Sequence, residues 1–370
     1  MPNQLRVLIL GSKEYPLGVS TDKITSGGFE KFVSDLAREL IQIKIKPVII
    51  TRSFECTCNF EELNGVEVHR VDWTSGFYFR NISFNFFAFL KALKVKHDVV
   101  VANGFVSGLF ALALRVFTGR KVIFIPAGFS FTQPQYPAFL RIVLKQIEKF
   151  TAKNANAVVF LSNEEKEKFK KLLGFTPRNA QVIYTGVNFE EFKPVKKGNF
   201  KRLQVLFVGR LIEVKGVKYL LEAIKKIDVN LTIVGSGPQE QELRDYAKEL
   251  GVTNKVLFAG FSKSPQEYFQ HNDVFVLPSI SEGLPLVLLE AMASKTAVVC
   301  TDINLPVVNE KTGLVVPVRN AAAITRALER LKDEKLRLKL TTNAFEFAKD
   351  NFNWKKTAKS YAILCEELSK

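Results

Sequence analysis

Cysteine and histidine are both rare in this chain, with four cysteines and three histidines among 370 residues. Cys56 and Cys58 form a Cys-x-Cys pair, while Cys300 and Cys365 stand alone. That spacing fits neither a disulfide framework nor a zinc site, so a reduced, cytoplasmic protein is expected. His69, His97 and His271 are scattered without metal-ligand spacing and read as structural or exposed side chains. Long apolar runs are lacking too. The uncharged stretches 99–114 and 122–140 are broken by Asn103, Gly104 and Gly108, or by Pro126, Pro134 and Pro137, so neither reads as a membrane span. The start, Met1-Pro2-Asn3-Gln4-Leu5-Arg6, has no basic flank, apolar run or small-residue cleavage site, which argues against export. The sequence holds no Gly-x-Ser-x-Gly elbow, P-loop or His-Glu-x-x-His motif. It also shows no short repeat and no low-complexity tract.

Acidic residues are the minority charge, 37 against 53 Lys and Arg, for a net charge of +16. The imbalance is local. Between Trp73 and Phe160 stand Arg80, Lys91, Lys94, Lys96, Arg115, Arg120, Lys121, Arg141, Lys145, Lys149 and Lys153, opposed only by Asp98 and Glu148. A solvated basic face and an anionic partner surface, such as a phospholipid leaflet, both fit this pattern. Nucleic acid is not expected as a partner, because the basic region contains no recognised binding module. Aromatics lie beside the cations in 73–80, 84–91 and 136–153. Such spacing suits either a helix lying in a bilayer interface or a core helix with a basic outer face.

What is abundant is apolar side chain, 47% of residues, in a length beyond the roughly 250–300 residues at which one core stops growing. Short β-branched runs alternate with helical patterns: 6–10, then a helix over 29–45, then strands at 47–51, 66–70, 99–102, 121–125, 157–161 and 181–183. This is βαβ grammar, and it predicts a doubly wound, mainly parallel sheet. After Val187 the pattern lapses into a polar, basic stretch with Pro194. A second alternation then runs through 203–208, 230–234, 256–259, 274–277 and 297–300. The expectation is two Rossmann-like domains, 1–187 and 188–353, with ligands beyond the carboxyl ends of strands.

Four clusters follow strands. Thr25-Ser26-Gly27-Gly28 opens a helix, where bare backbone N–H groups suit an anion and equally suit a plain cap. Gly209-Arg210 with Lys215-Gly216 places two cations on one connecting loop, Arg as a bidentate fork and Lys as a point charge for a diphosphate. Gly235-Ser236-Gly237-Pro238 allows a close backbone approach by a ligand or a neighbouring strand. The fourth is Pro278-Ser279-Ile280-Ser281-Glu282-Gly283-Leu284-Pro285-Leu286-Val287-Leu288-Leu289-Glu290-Ala291. Here Pro285 fits a first helical turn, Glu282 lies on the loop and Glu290 on the helix. The N–H groups of Leu284 to Val287 would face negative charge.

In this order the motifs resemble those of the retaining glycosyltransferases of family 4, which have the GT-B fold of two Rossmann-like domains facing across a cleft. The resemblance runs along nearly the whole chain and implies transfer of a sugar from a nucleotide-diphosphate donor; with the aromatic and basic stretches above, the expectation is a hexose passed to a glycan or lipid-linked acceptor. It implies that Arg210 and Lys215 hold the diphosphate, with no metal cofactor, that Glu290 binds the ribose hydroxyls and that Glu282 lies by the donor sugar. Gly28 would meet the diphosphate from the N-terminal domain. It also implies that the helix from Trp354 packs back on that domain, and its apolar positions Trp354, Ala358, Tyr361, Ile363 and Leu364 suit a buried stripe. The sequence departs from the pattern at Ala127 and Asn103, where histidines are usual on the acceptor side, and at 301–307, which lacks the usual paired glycines. These departures keep two alternatives in view: a degenerate GT-B protein that binds a nucleotide sugar without transfer, and a nucleotide-sugar epimerase. The expected place of action is the cytoplasmic face of a membrane, as a peripheral protein.

Overall fold

The computed structural model describes residues 4–17, 28–74, 76, 79–126, 129–132, 136–195, 198 and 201–370. The chain divides into two compact units, 1–185 together with 354–370, and 186–353.

In the first unit the elements are β1 (Arg6–Leu10), α1 (Gly28–Gln42), β2 (Lys46–Arg52), β3 (Phe60–Leu63), β4 (Val66–Val71), α2 (Phe79–Ala92), β5 (Val99–Asn103), α3 (Phe105–Thr118), β6 (Lys121–Ile125), α4 (Ala138–Asn154), β7 (Ala157–Phe160), α5 (Asn163–Leu173) and β8 (Ala180–Val182). They form an eight-stranded sheet in the order β3-β4-β2-β1-β5-β6-β7-β8, parallel except for the antiparallel β3–β4 pair. Alternate strand residues sort to opposite faces, as the two-residue strand period requires. Val7, Ile9, Ile49, Val99 and Val101 meet Phe32, Val33, Leu36 and Leu40 of α1 on one face. Leu8, Leu10, Val48, Ile50, Val100 and Ala102 meet α2 and α3 on the other. The edge strand β3 was not legible beforehand. Phe60-Glu61-Glu62-Leu63 alternates exposed with half-buried residues and owes its conformation to pairing with β4.

The second unit contains β9 (Leu203–Val208), α6 (Val217–Ile224), β10 (Val229–Val234), α7 (Glu240–Glu249), β11 (Val256–Gly260), α8 (Gln266–His271), β12 (Val274–Leu277), α9 (Leu286–Ala293), β13 (Ala297–Thr301), β14 (Leu314–Val316), α10 (Ala321–Arg330) and α11 (Glu334–Asn351). Its six parallel strands are ordered β11-β10-β9-β12-β13-β14. The order reverses between β9 and β12. In open α/β sheets that switch point leaves a crevice beyond the strand ends, where ligands bind.

The last helix, α12 (Trp354–Ser369), returns to the first unit and packs on α1, with the rings of Trp354 and Tyr361 at 5.7 and 6.4 Å from Phe32. Trp354, Ala358, Tyr361 and Leu364 are buried as the helical pattern suggested, but Ile363 is 48% exposed and Cys365 takes its place inside. The phase of this helix is set by the groove it fills, which the hydropathy of 363–365 does not specify.

Candidate functional site at the β9–β12 switch point

Three loops converge at this switch point: 209–216 after β9, 235–239 after β10 and 278–285 after β12. Glycines let the first two touch. A Cβ on Gly235, whose φ is +136°, would sit 1.9 Å from the Gly209 carbonyl oxygen. One on Gly237 would sit 2.3 Å from that of Leu211. Between them Gly209 N–H donates to Val234 O at 2.9 Å and Leu211 N–H to Ser236 O at 2.9 Å. Of the two readings of the Gly-x-Gly turn, the close neighbour is thus the adjoining loop. The first loop meets the third in the same way. Gly216, at φ +65°, would clash through a Cβ with Pro278 O, and Ile280 N–H donates to Val214 O at 2.7 Å.

This lacing fixes Lys215 and Glu282, 67 positions apart in sequence, in one ion pair. Lys215 ends a single 3-10 turn, Glu213–Lys215, and its Nζ lies 2.5 Å from Glu282 Oε1. Their side chains are only 14% and 13% exposed. The same Oε1 accepts from Ser279 Oγ at 2.7 Å, and the Thr301 hydroxyl at the end of β13 donates to the Ser279 carbonyl at 2.5 Å. Ser279 and Thr301 are buried. No motif in the sequence marks either residue. Ser279 was visible only as a small polar residue three positions before Glu282. An ammonium has three donors, and its bond to Glu282 uses one. Arg210 is exposed on the β9 loop and forms no ion pair among the described residues.

Beyond Gly283 and Leu284 the chain enters α9. Pro285 is the cap residue in the β region (φ −74°, ψ 117°), one position before the helix, not in its first turn. Leu286 and Val287 supply first-turn N–H groups, which no carbonyl of the helix can satisfy, at the positive end of the helix dipole. One turn further, Glu290 is 3% exposed, while Leu288 and Leu289 are fully buried. Glu282 and Glu290 thus flank the start of one helix, one on the loop and one on the helix. The strand-end loops present two cations, a carboxylate fixed by Lys215 and Ser279, and helix N-terminal donors. That set suits a ligand with a doubly charged anionic group and adjacent hydroxyls.

In the first unit, Gly28 is the exposed first residue of α1. Asn103 closes β5; its Nδ2 donates to Leu10 O at 3.3 Å, while its buried Oδ1 has no hydrogen-bond partner among the described residues. Ala127, with Thr25, Ser26 and Gly27, lies outside the described residues. The structure adds Arg52, passed over in the sequence. It is buried at the end of β2, 4.7 Å from the centre of the Trp73 ring, and burial together with the nearby Arg80 lowers its pKa to about 10. His69 and His97 take structural roles, against Glu67 at 2.8 Å and Val95 O at 2.8 Å. Among the described residues no group of His, Cys, Asp and Glu is arranged to hold a metal ion.

Residues 188–347 match the family described as Glycosyl transferases group 1, and residues 26–191 match Glycosyltransferase Family 4. The chain is 30% identical over 282 residues to the UDP-Gal:alpha-D-GlcNAc-diphosphoundecaprenol alpha-1,3-galactosyltransferase of Escherichia coli, covering 70% of this chain and 73% of that enzyme. Among solved structures, sucrose-phosphate synthase from Thermosynechococcus elongatus is similar with a TM-score of 0.86 at 22% identity, covering 99% of each chain. Anabaena HepE in complex with UDP-glucose is similar with a TM-score of 0.78 at 16% identity, covering 98% of this chain and 100% of that one. At such identities these two likenesses speak for the fold alone, and the fold is GT-B. The chain belongs to the family 4, group 1 glycosyltransferases, retaining enzymes that use nucleotide-sugar donors.

Proposed function

We propose that this enzyme transfers a hexose from a nucleotide-diphosphate sugar to a lipid-linked acceptor, working as a peripheral protein at the cytoplasmic face of a membrane. The observation that carries the donor half is the Lys215–Glu282–Ser279 constellation beside the α9 N-terminus. In this reading the diphosphate draws Arg210 and Lys215, whose charge offsets the charge that develops on the leaving group. Glu290 binds the ribose hydroxyls, and the first-turn N–H groups of α9 face the phosphates. Glu282 lies by the sugar, oriented by Lys215 and Ser279, so that catalysis rests on positioning and electrostatics. The two cations supply the charge that a divalent ion would otherwise bring, and no metal is invoked. The lipid-linked acceptor is supported by the E. coli relative, whose name specifies a diphosphoundecaprenol-linked sugar.

The test has two stages. A thermal-shift series against UDP-, GDP- and ADP-sugars identifies the donor, since a ligand at about 100 times its Kd adds roughly 2.7 kcal/mol of stability. Turnover is then measured with an undecaprenyl-diphosphate-linked sugar, with and without chelator. Glu282→Ala and Lys215→Ala should each lower turnover by about a hundredfold or more while the protein stays folded. Wild-type turnover in both variants would sink the site assignment. Donor binding without transfer to any acceptor would favour the binding-only alternative, and an altered nucleotide sugar formed without acceptor would reveal an epimerase.

A further inference from the structure

The helices α2, α3 and α4 lie side by side on one face of the first unit's sheet. Their sheet-facing stripes are accounted for: Phe84, Ala88 and Ala92, then Ala111 and Leu114, then Leu144 and Ala152 are buried. A helix with one buried stripe is normally polar on the opposite side. These are apolar there as well. On α2 the outward residues Phe79, Ile82, Phe86 and Leu90 recur every three to four positions, and all are exposed, Phe79 by 69%. On α3 Val116 and Phe117 are 82% and 71% exposed, and on α4 Phe139, Ile142 and Phe150 point outward. Ring contacts join the α2 and α3 parts of the patch. Phe110 lies 6.4 Å from Phe86 and 6.1 Å from Phe89, and Phe89 lies 5.9 Å from Phe117. Exposed apolar side chains on three adjacent helices, those of α2 and α3 joined by ring contacts, mark a contact site.

The charges around it choose the occupant. Lys91, Lys94, Lys96, Arg141 and Lys145 form no ion pair among the described residues, and Lys149 and Lys153 lie over the ring of Phe175. Within residues 73–160 only two acids occur. Asp98 faces Arg120 at 3.9 Å and accepts from Arg6 N–H, and Glu148 is buried, where burial and Glu165 push it up to about 8 and keep it neutral near pH 7. A second copy of this chain, set face to face, would bring two basic rims together. An anionic bilayer interface matches both features, taking the aromatic side chains among its acyl chains and the cations among its headgroups. No helix of the described residues is long and apolar enough to cross a membrane, so attachment here is to the surface. We propose that the outward surface of α2, α3 and α4 is the docking face of this enzyme on an anionic lipid bilayer. It rests on the preceding reading for its purpose, access to a lipid-linked acceptor, but not for its test.

The test is co-sedimentation of the full chain, without donor or acceptor, with vesicles of phosphatidylglycerol mixed with phosphatidylcholine and with vesicles of phosphatidylcholine alone. The wild type should bind the mixed vesicles at low salt and release them as salt rises. A Phe86→Ser, Phe117→Ser, Phe139→Ser variant should bind them at least about tenfold more weakly. A Lys91→Gln, Lys94→Gln, Lys145→Gln variant should lose roughly a hundredfold at low salt. All six positions are away from the core, so melting temperature and nucleotide-sugar thermal shift should match the wild type in both variants. No binding of the wild type to mixed vesicles overturns the proposal, as does unchanged binding of the serine variant. A dimer in sedimentation velocity that the serine substitutions dissolve would make this a self-association face instead. A chain that binds vesicles yet shows no thermal shift with any nucleotide sugar keeps this inference and loses the preceding one.

Discussion

At the level of single residues the donor site is a problem of holding charge in place. Glu282 has an obvious partner in Lys215, but an ion pair alone leaves a carboxylate free to rotate. The Ser279 hydroxyl supplies a further donor, and Thr301 fixes the Ser279 backbone from the next strand. Ser279 is therefore a positioning residue. Ser279→Ala should lower kcat by about tenfold with little change in donor KM, because geometry at the sugar is lost while the diphosphate contacts remain. Ser279→Thr should restore most of it. Steady-state kinetics that move only KM, or no rescue by threonine, would contradict this role. Gly235 carries a different constraint. Its φ of +136° and the 1.9 Å approach of Gly209 O leave no space for a methyl group. Gly235→Ala should cost about 3 kcal/mol in urea unfolding. A change under about 0.5 kcal/mol would mean the two loops part easily.

At the level of elements, α4 and α5 bury a pair of carboxyl groups. Glu148 is pushed up to about 8 by burial and by Glu165. Burial likewise raises Glu165 to about 7, against the hydrogen bond from Leu161 N–H and the nearby Lys168, which lower it. Glu165 also belongs to the start of α5, where its own N–H donates to the Ser162 hydroxyl at 3.1 Å, the capping-box pattern. Because both folded-state values lie above that of an unfolded carboxyl, the folded chain binds the extra protons. The associated stability is complete below about pH 4.5 and is lost as pH rises through about 7 to 8. Melting temperature should fall across that interval, and Glu148→Gln should flatten the fall. A variant with the wild-type slope would place the titration elsewhere. Neither burial was legible from sequence, where Glu148 reads as one of two acids in a basic stretch. Most strands were legible, since parallel strands buried on both faces are continuous apolar runs. Strands β3 and β14 were not, the first being half acidic and the second three residues long.

At the level of the whole molecule, the chain crosses from one unit to the other and comes back. The last 17 residues complete the core of the first unit, where Trp354 meets Phe32 and the Thr357 hydroxyl donates to Tyr184 O at 2.6 Å. Trp354→Ala should cost about 3–5 kcal/mol by chemical denaturation, as large aromatic truncations in a core do. A cost under 1 kcal/mol would show that α12 is only a surface appendage.

The sequence by itself determined the fold class, through the alternation of β-branched runs with helical periods. It also supplied the ordered motifs that resemble one enzyme family, because strand-end loops must carry the residues that meet a ligand. Tertiary structure alone decided which loops touch, that Lys215 and Ser279 meet on one oxygen of Glu282, and that the glycines of 235–237 serve the neighbouring loop. It also decided that Ile363 faces outward while the aromatic stripes of α2, α3 and α4 stay uncovered. The reason is common to all of these. Hydrophobic periodicity specifies that a side chain belongs to some apolar surface, whereas distance between residues remote in sequence, and what covers a helix, depend on packing that no local pattern encodes.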